Sequence, residues 1–546
     1  MKKYQGKGVY GAVAVGKVSV FKRADAAPER LQIEDTASEI ARLETAKEKA
    51  IEELSAIYEK ALAEVGEENA QIFEIHMMMV EDDDYNEAIV DMINEEGVNA
   101  EYAVAVTGEN FANMFASMDD SYMQARAADV RDISRRIIAC ISGGGDENLS
   151  FDDKVIICAD DLAPSETVSL DKDKVLAFVT AFGSSNSHTA ILARNMNIPA
   201  IIGVGEQFLS EICDGDTAIA DGFTGQFICC PDDETLCAAM KKMQEESDKK
   251  ALLLNLLGKE NITLDGTKIN IYANIGSVSD IGAVLSNDAG GVGLFRSEFL
   301  YLENTDYPTE EQQFAAYKKV LEEMAPKKVI IRTLDIGADK QADYFGLEKE
   351  ENPAMGLRAI RICLTRPEVF KTQLRALYRA SVFGNLGIMF PMITSVGELE
   401  QILAICEDVK KELTAENAEF SDGIELGIMI ETPAAAIISD KLAPMVDFFS
   451  VGTNDLTQYT LACDRQNPHI EPFCDTHHAA ILRLIELSAQ NAHKFGKWIG
   501  ICGELAADTS LTETFLKMGI DELSVSPSFV LRVRDAVRKI NLKSQV

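Results

Sequence analysis

The sequence predicts a multidomain α/β protein: a C-terminal (β/α)8 TIM barrel, and an N-terminal α/β domain that carries an inserted helical domain. Three observations lead to this prediction. The 546 residues suffice for about three domains. Residues 30–142 have helical periodicity and are flanked by strand-like runs. From about residue 262, strand-like runs alternate with helical segments.

The N-terminal α/β domain is predicted from short apolar runs on both sides of the helical stretch. Residues 1–23 have the pattern of one or two strands. Strand-like runs return at 154–158, 174–179, 199–203 and 217–221. The helical stretch therefore interrupts a single small domain.

The helical domain is predicted from apolar residues at helical spacing, among them Ile40, Leu43, Ile51 and Leu54. Further helices are expected near 68–80, 84–95, 99–117 and 122–141. Their lengths and short connections suggest antiparallel helical hairpins. A later segment, 233–257, contains no Gly or Pro and is predicted to be a linker helix.

The barrel is predicted from eight strand-like runs spread over about 285 residues, the usual size of this fold. The runs are 269–275, 290–295, 328–334, 387–393, 425–431, 447–452, 498–502 and 521–526. The predicted domains are 1–23 with 144–230 (α/β), 24–143 (helical), 231–261 (linker helix) and 262–546 (barrel).

The charge is strongly negative and unevenly distributed. The net charge of -37 makes nucleic acid and anionic membranes poor partners. Residues 24–140 contain 28 Asp and Glu against 9 Lys and Arg, and no basic residue lies between Lys60 and Arg126. This stretch is either a solvated face or a docking surface for a small basic protein. The complete lack of positive charge between Lys60 and Arg126 favours docking.

The cysteines and the N-terminus favour a cytoplasmic protein. The 11 cysteines are scattered without any Cys-x-x-Cys, which indicates reduced thiols rather than a disulfide framework or a zinc site. The apolar run at 8–16 is short and interrupted by Gly, so a first strand is expected there rather than a signal peptide. No later segment is long and apolar enough to span a bilayer.

His188 follows a Gly/Ser/Asn turn and precedes an apolar helical run. Asn186 or Ser187 can cap this helix, which places His188 in its first turn. The helix N-terminus favours a nearby anion and a neutral imidazole, as a phosphoryl-accepting histidine requires. The alternative is a histidine that only completes the helix terminus.

Polar residues follow the predicted barrel strands, where the catalytic groups of such barrels lie. They are Asn274, Arg296, Glu298, Arg332, Asp335, Lys340, Glu431, Asn454, Asp455, Cys502 and Glu504. Arg296 and Arg332, with Arg465, could clamp a phosphate. Glu431 and Asp455 are hard carboxylates that suit Mg²⁺ or Mn²⁺. Cys502 is either a buried small residue or a general acid.

Several motifs resemble those of the phosphoenolpyruvate-utilising enzymes. Residues 187–194 (Ser-His-Thr-Ala-Ile-Leu-Ala-Arg) resemble the family's phosphohistidine signature, and 447–459 resemble its substrate-site signature. Further matches are 291–300, 332–340, 351–361, 431–433 and 502–506. The resemblance includes the predicted helical domain. It is strongest to the family members that catalyse the first step of the bacterial sugar phosphotransferase system.

The resemblance implies that phosphoenolpyruvate binds the barrel with Mg²⁺ and that His188 accepts its phosphoryl group. A histidine of the carrier protein HPr then receives it, and the acidic helical domain docks HPr. Arg296, Arg332 and Arg465 would hold the phosphate, and Asn454 with the Asp455 backbone would hold the carboxylate. Glu431 and Asp455 would hold the metal, and Cys502 would protonate the enolate. The family also implies a homodimer through the barrel.

Two other functions are weighed against this one. A pyruvate–phosphate dikinase or phosphoenolpyruvate synthase would carry an ATP-binding module, and no Gly-rich phosphate loop precedes His188. A non-catalytic regulatory scaffold would tolerate the loss of His188, Glu431 or Cys502, and all three are present.

Overall fold

The fold is defined by a computed structural model. It describes residues 1–21, 28–65, 67–117, 121–143, 153–162, 166–167, 170–171, 174–183, 189–190, 193, 198–205, 207–302, 304, 306–337, 342–348, 350–464, 470 and 473–543. The chain forms two compact units, Met1–Lys249 and Lys250–Val546.

The first unit contains an eight-stranded mixed sheet with the strand order β1-β8-β7-β3-β4-β5-β6-β2. Its strands are β1 (Lys2–Gln5), β2 (Lys7–Tyr10), β3 (Val13–Val20), β4 (Val155–Ala159), β5 (Val175–Thr180), β6 (Ala200–Ile202), β7 (Thr217–Asp221) and β8 (Gln226–Cys229). The N-terminal segment thus supplies three strands, where one or two were expected. β8 was not predicted because it is short and follows β7 through a tight turn.

The β7–β8 turn depends on glycine. Gly225 has a φ of +67°, and a Cβ atom there would overlap the carbonyl oxygen of Gly6. Only glycine combines this backbone conformation with so close an approach of a neighbouring chain. The turn therefore fixes both the hairpin and its packing against the N-terminal segment.

Five helices lie between β3 and β4, which are parallel neighbours in the sheet. They are α1 (Thr36–Val65), α2 (Glu67–Val80), α3 (Asp83–Glu96), α4 (Ala100–Ala116) and α5 (Ser121–Ile141). α1 packs on α2 and α4 packs on α5. Their shared core includes the buried side chains of Leu43, Leu54, Phe73, Ile89 and Ile133. Among the described residues that follow β6, α6 spans Gln207–Glu211 and α7 spans Asp233–Leu254, close to the predicted linker helix.

The second unit contains a closed barrel of eight parallel strands, which confirms the predicted fold class. The strands are β9 (Asn270–Ile275), β10 (Gly291–Arg296), β11 (Lys328–Arg332), β12 (Asn385–Phe390), β13 (Glu425–Ile430), β14 (Phe448–Val451), β15 (Trp498–Ile501) and β16 (Glu522–Val525). Each of the eight predicted runs overlaps one of these strands.

Helices follow the barrel strands and cover them. They are α8 (Ile281–Ser286), α9 (Phe299–Leu302), α10 (Glu310–Met324), α11 (Ile360–Thr365), α12 (Pro367–Ala380), α13 (Val396–Ala415), α14 (Pro433–Ile437), α15 (Ser439–Leu442), α16 (Thr453–Leu461), α17 (Ala479–Lys494), α18 (Thr512–Met518) and α19 (Val530–Lys539). In the part of the chain that is described, none of the helices combines the length and the apolar character needed to cross a membrane.

The barrel interior is packed with side chains. Leu294, Ile330, Met389 and Met429 form one apolar cluster with Phe448, whose ring stacks on that of Trp498 at 4.5 Å between centroids. Such packing leaves no open channel and directs chemistry to the strand ends and loops.

Candidate active site

The sequence-predicted residues of the barrel meet at the carboxyl ends of its strands. Arg296 and Arg332 are the last residues of the neighbouring strands β10 and β11 and lie opposite each other in register. Glu431 directly follows β13, and Cys502 directly follows β15. Asp455 lies in the first turn of α16, just after β14. Parallel strands of a closed barrel bring these positions to one rim.

Two buried arginines share one carboxylate at this rim. Arg332 Nη1 lies 2.8 Å from Asp335 Oδ2, and Arg358 Nη2 lies 2.9 Å from Asp335 Oδ1. Arg332 also pairs with Glu298 through Nη2. Burial alone lowers the pKa of Arg332, but Asp335, Glu298 and Glu431 together raise it above its ordinary value. Both guanidinium groups are therefore charged.

Each of these arginines keeps an unused donor. The Nε atoms of Arg332 and Arg358 are buried and have no hydrogen-bond partner. A buried N–H without an acceptor costs about 1–3 kcal/mol, more when the group is charged. An anionic ligand with several oxygens would remove this cost, so the arrangement favours a phosphate-bearing molecule.

Glu431 is almost completely buried, at 1% exposure. Its Oε1 accepts a hydrogen bond from the backbone N–H of Met392 at 2.5 Å, whereas its Oε2 has no hydrogen-bond partner. Met392 has a φ of +57°, a conformation that is rare outside glycine and that aims this N–H at the carboxylate. Burial, followed by the charges of Asp455 and Asp335, raises the pKa of Glu431 to about 8.

Asp455 and Asn454 link neighbouring loops of the rim. Asp455 Oδ1 accepts from Arg358 Nη1 at 3.4 Å, and the same guanidinium donates to the hydroxyl of Tyr459 at 3.0 Å. Asn454 Oδ1 accepts from the backbone N–H of Glu504 at 3.2 Å. The loop after β14 is thereby connected to the loop that follows Cys502.

Cys502 is a buried thiol at the same rim. Its Sγ donates to the carbonyl oxygen of Val451 at 3.6 Å. Burial is the main reason why the pKa of this thiol is raised to about 12, and the nearby Glu522 raises it further, against Ser450 and Arg332. At neutral pH the sulfur therefore carries its proton.

Not every predicted site residue belongs to this described cluster. Arg296 lies at the rim with an exposed side chain. His188 and Arg465 lie outside the described residues. Arg358 and Tyr459 were not predicted as site residues. Arg358 lies within the motif at 351–361 but follows no strand, and the strand-end rule therefore overlooked it.

Comparisons with known proteins agree with this architecture. Residues 250–542 match the PEP-binding domain of PEP-utilising enzymes, 151–225 match their mobile domain and 5–126 match their N-terminal region. The phosphoenolpyruvate-protein phosphotransferase of Priestia megaterium is 43% identical over 99% of this chain and 94% of its own length. The Bacillus subtilis protein of the same name is 42% identical over 99% of this chain and 95% of its own length.

The chain therefore belongs to the PEP-utilising enzyme family. It is an enzyme of the phosphoenolpyruvate-protein phosphotransferase type. The family resemblance deduced from the sequence motifs is thereby confirmed.

Proposed function

We propose that the chain transfers the phosphoryl group of phosphoenolpyruvate to its own His188 and then to a histidine of HPr, as the first step of sugar uptake by the phosphotransferase system. The observation that carries this proposal is the buried arginine–carboxylate cluster at the barrel rim. It combines unused donors for an anion with a buried carboxylate oxygen, Glu431 Oε2, that lacks a hydrogen-bond partner.

In this proposal the arginines bind the substrate phosphate. Arg332 offers its Nε from a position fixed by Asp335 and Glu298. Arg296 and Arg465 would add charge from the rim and from a segment outside the described residues. Asn454 and the backbone N–H of Asp455 would hold the carboxylate. Because the carboxylates already fix Arg332, little side-chain order is lost on binding.

The carboxylates of the rim fit a hard divalent cation. Glu431 Oε2 is buried without a partner, and burial, followed by the charges of Asp455 and Asp335, raises the pKa of the Glu431 carboxyl group. Carboxylate oxygens of this kind are the ligands that Mg²⁺ and Mn²⁺ prefer. Glu431 and Asp455 would hold the ion. When bound, it would neutralise charge on the substrate oxygens.

The reaction then needs a nucleophile and an acid. A ring nitrogen of His188 attacks phosphorus, and the bond from phosphorus to the enol oxygen breaks, which leaves the enolate of pyruvate. The Cys502 thiol gives its proton to the methylene carbon, and pyruvate forms. The raised pKa of Cys502 supports this role because the thiol still holds its proton at neutral pH.

We further propose that residues 24–143 dock HPr, that 1–23 with 144–230 carry His188, and that 262–546 form the barrel domain after a linker at 231–261. The docking surface is supported by Glu81, Asp82, Asp83 and Asp84, which are all exposed at the start of α3. Met78, at 66% exposure, adds an apolar contact beside them in the chain. An apolar anchor within a charged rim is typical of interfaces between proteins.

A homodimer through the barrel belongs to the same proposal. The second unit exposes the large apolar side chains of Ile437 and Phe473. Exposed apolar surface of this kind is suited to a subunit contact.

The proposal is tested with phosphoenolpyruvate labelled at phosphorus. The chain with Mg²⁺ should acquire acid-labile, base-stable label, and HPr should remove that label and carry it on its own histidine. The His188→Ala variant should bind phosphoenolpyruvate but acquire no label. Label on His76, His469, His477, His478 or His493 of the variant would falsify the assignment, and a requirement for ATP would favour the dikinase reaction.

A further inference from the structure

Three potential metal ligands meet at the open end of the β7–β8 hairpin. Asp216 immediately precedes β7, Cys229 is the last residue of β8, and Cys230 follows it. Cys229 Sγ lies 3.4 Å from Asp216 Oδ2 and 3.7 Å from Cys230 Sγ, and all three ligand atoms lie within 4.8 Å of one another. Among the residues that the structure describes, no other three His, Cys, Asp or Glu side chains come as close.

Two of the three distances between these atoms are compatible with a tetrahedral metal site. Zn²⁺ binds sulfur at about 2.3 Å and carboxylate oxygen at about 2.0 Å, so ligands at tetrahedral angles are about 3.8 Å (S to S) and about 3.5 Å (S to O) apart. The measured 3.7 Å and 3.4 Å agree with both values. The cluster could accept the ion with little movement.

The backbone explains how two adjacent cysteines place their sulfurs on the same side. Successive residues of a strand point to opposite faces of the sheet. Cys230 departs from the strand conformation with a φ of +49°, and its Sγ lies near that of Cys229. A hydrogen bond from outside the cluster orients Asp216: the backbone N–H of Cys213 donates to Asp216 Oδ2 at 3.0 Å.

The surroundings leave the cluster accessible to an ion from solvent. Cys229 is buried, Asp216 is half-buried and Cys230 is exposed. Lys17 acts electrostatically on Asp216, while its Nζ donates to Thr217 Oγ1 at 3.0 Å. The exposed Cys230 leaves this side of the cluster open to solvent.

We propose that Asp216, Cys229 and Cys230 bind one Zn²⁺ ion. Two thiolates select a soft or borderline cation, in contrast to the oxygen ligands at the barrel rim. On binding, the thiol protons of Cys229 and Cys230 pass to water and two sulfur–zinc bonds form. The ion joins the two strands of the hairpin at the point where the chain leaves the sheet and enters α7.

The test uses the full chain, reduced with a phosphine, in excess Mg²⁺ that occupies oxygen-only sites. Co²⁺ is titrated as a spectroscopic probe. One equivalent should produce thiolate-to-cobalt charge-transfer absorption, and Zn²⁺ should then displace the Co²⁺ and abolish the absorption. No charge-transfer absorption in the parent would overturn the proposal.

Substitutions then assign the ligands. Cys230→Ser, at an exposed position, and Asp216→Asn should each weaken Zn²⁺ binding by at least about tenfold, since each removes a ligand from the ion. Cys237→Ser is the matched control, because Cys237 is an exposed thiol in α7 outside the cluster. Circular dichroism and labelling by phosphoenolpyruvate verify that each variant is folded. Unchanged Zn²⁺ affinity in Cys230→Ser or Asp216→Asn would overturn the zinc proposal. The proposed phosphotransfer reaction would still stand, because it does not depend on this cluster.

Discussion

At the scale of single residues, the barrel rim depends on buried groups that keep the protonation state they need. Arg332 stays charged because Asp335 and Glu298 stabilise the cation. Cys502 stays protonated because burial disfavours the thiolate. One buried position thus holds a permanent cation, and another holds a proton that the proposed reaction would use.

The role of Cys502 is tested by Cys502→Ser. If the thiol protonates the enolate, solvent-hydrogen exchange into bound pyruvate should fall by about 10²–10⁴-fold, the usual contribution of a general acid. Affinity for phosphoenolpyruvate should change little, because Cys502 binds no substrate oxygen in this mechanism. The measurement is the loss of deuterium from methyl-labelled pyruvate with Mg²⁺.

Cys363→Ser is the matched control for Cys502→Ser, since Cys363 is a fully buried barrel thiol in α11. It should leave the exchange rate near the parental value. Parental exchange in Cys502→Ser would mean that Cys502 only packs and that another group at the rim supplies the proton.

Glu522 should make stability depend on pH. Its side chain lies inside the barrel, where a Cβ atom on Gly293 or Gly500 would meet its carboxylate. Burial raises the pKa of Glu522 well above 4.5, against a smaller opposing effect of Ser524. As pH rises above 4.5, the unfolded chain loses this proton while the folded chain retains it, so folding becomes less favourable.

Glu522→Gln should therefore gain stability over the parent as pH increases from about 4.5 to 8, with little difference below that range. The melting temperatures of both proteins across this range give the comparison. Glu419→Gln, at an exposed site, is the control and should show no such trend. A difference that stays constant with pH would contradict the explanation.

The residues of the rim differ in how far the sequence could predict them. Arg332, Glu431 and Cys502 were found because each ends or follows a strand, and barrel geometry brings such positions together. Arg358 joins the cluster through Asp335 and Asp455, contacts between distant segments that no local pattern encodes. The cysteine pattern argued against a zinc site, yet Asp216 meets Cys229 and Cys230 because β7 pairs with β8.

At the scale of elements, the junction between β14 and α16 carries Asp455 and approaches Glu431, the other candidate metal ligand, directly after β13. Gly452 lies there, and a Cβ atom on it would stand 3.0 Å from Glu431 Cβ and Oε2. This spacing is tighter than ordinary contact, so an added methyl group must displace the carboxylate. The loop approaches Glu431 closely because residue 452 has no side chain.

Gly452→Ala should consequently raise the Mg²⁺ concentration needed for half-maximal labelling by roughly tenfold, the size of effect seen when a ligand is displaced by its neighbours. Stability should fall by about 1–3 kcal/mol, as overpacking usually costs. Gly397→Ala, where a Cβ atom meets nothing within 4 Å, is the control and should change neither quantity adversely. Parental Mg²⁺ dependence in Gly452→Ala would show that the carboxylate can shift freely.

In the proposed docking of HPr, the N-terminus of α3 is the element that attracts the carrier protein. Changing Glu81, Asp82, Asp83 and Asp84 to their amides removes four exposed charges, and Asn at 82 can still cap Tyr85 N–H as Asp82 does. Transfer to HPr should slow by about tenfold or more at low salt, because the electrostatic attraction is lost. Labelling of the enzyme itself should not change.

The control for this variant carries the same change in net charge on the barrel unit. It replaces the exposed Glu400, Glu407, Asp408 and Glu419 by amides. The rate of phosphoryl transfer to HPr is measured for both variants at several salt concentrations. Equal transfer rates at low salt would mean that the α3 acids only solvate this face.

Element boundaries were predicted best where apolar periodicity is long. The helices near 84–95 and 122–141 agree with α3 and α5 within one residue at each end. β8 was missed because four residues after a tight turn give no periodic signal. The predicted run at 328–334 extends past β11, because Thr333 and Leu334 are buried in the loop that leads to Asp335.

At the scale of the whole molecule, the sequence predicted the barrel because its alternating strands and helices admit few topologies. Parallel neighbours need crossover helices, and eight such units close upon themselves. The inserted helical block was predictable because strand-like runs resume after it. The pairing of β3 with β4 could not be predicted. The two strands are more than 130 residues apart, and no local sequence pattern in either strand indicates its partner.

The division into two units separates the proposed reaction into two halves. Under the proposed mechanism, proton exchange into pyruvate would require the barrel rim with Cys502, whereas phosphoryl exchange with HPr would require His188, which belongs to the first unit by its place in the sequence. Each half should survive the loss of the other's essential residue, because no side chain is used in both.

His188→Ala should therefore retain Mg²⁺-dependent hydrogen exchange into pyruvate at close to the parental rate, yet accept no label from phosphorylated HPr. Cys502→Ser should accept label from phosphorylated HPr onto His188, yet form labelled phosphoenolpyruvate from added pyruvate at least about 10²-fold more slowly. Mixing the two variants tests this independence further. Even if subunits exchange within a dimer, the mixture should not recover the parental rate of phosphoenolpyruvate formation unless His188 of one chain acts together with Cys502 of the other. If either variant loses both half-reactions while it stays folded, the two sites are coupled and the assignment of one half-reaction to each unit is wrong.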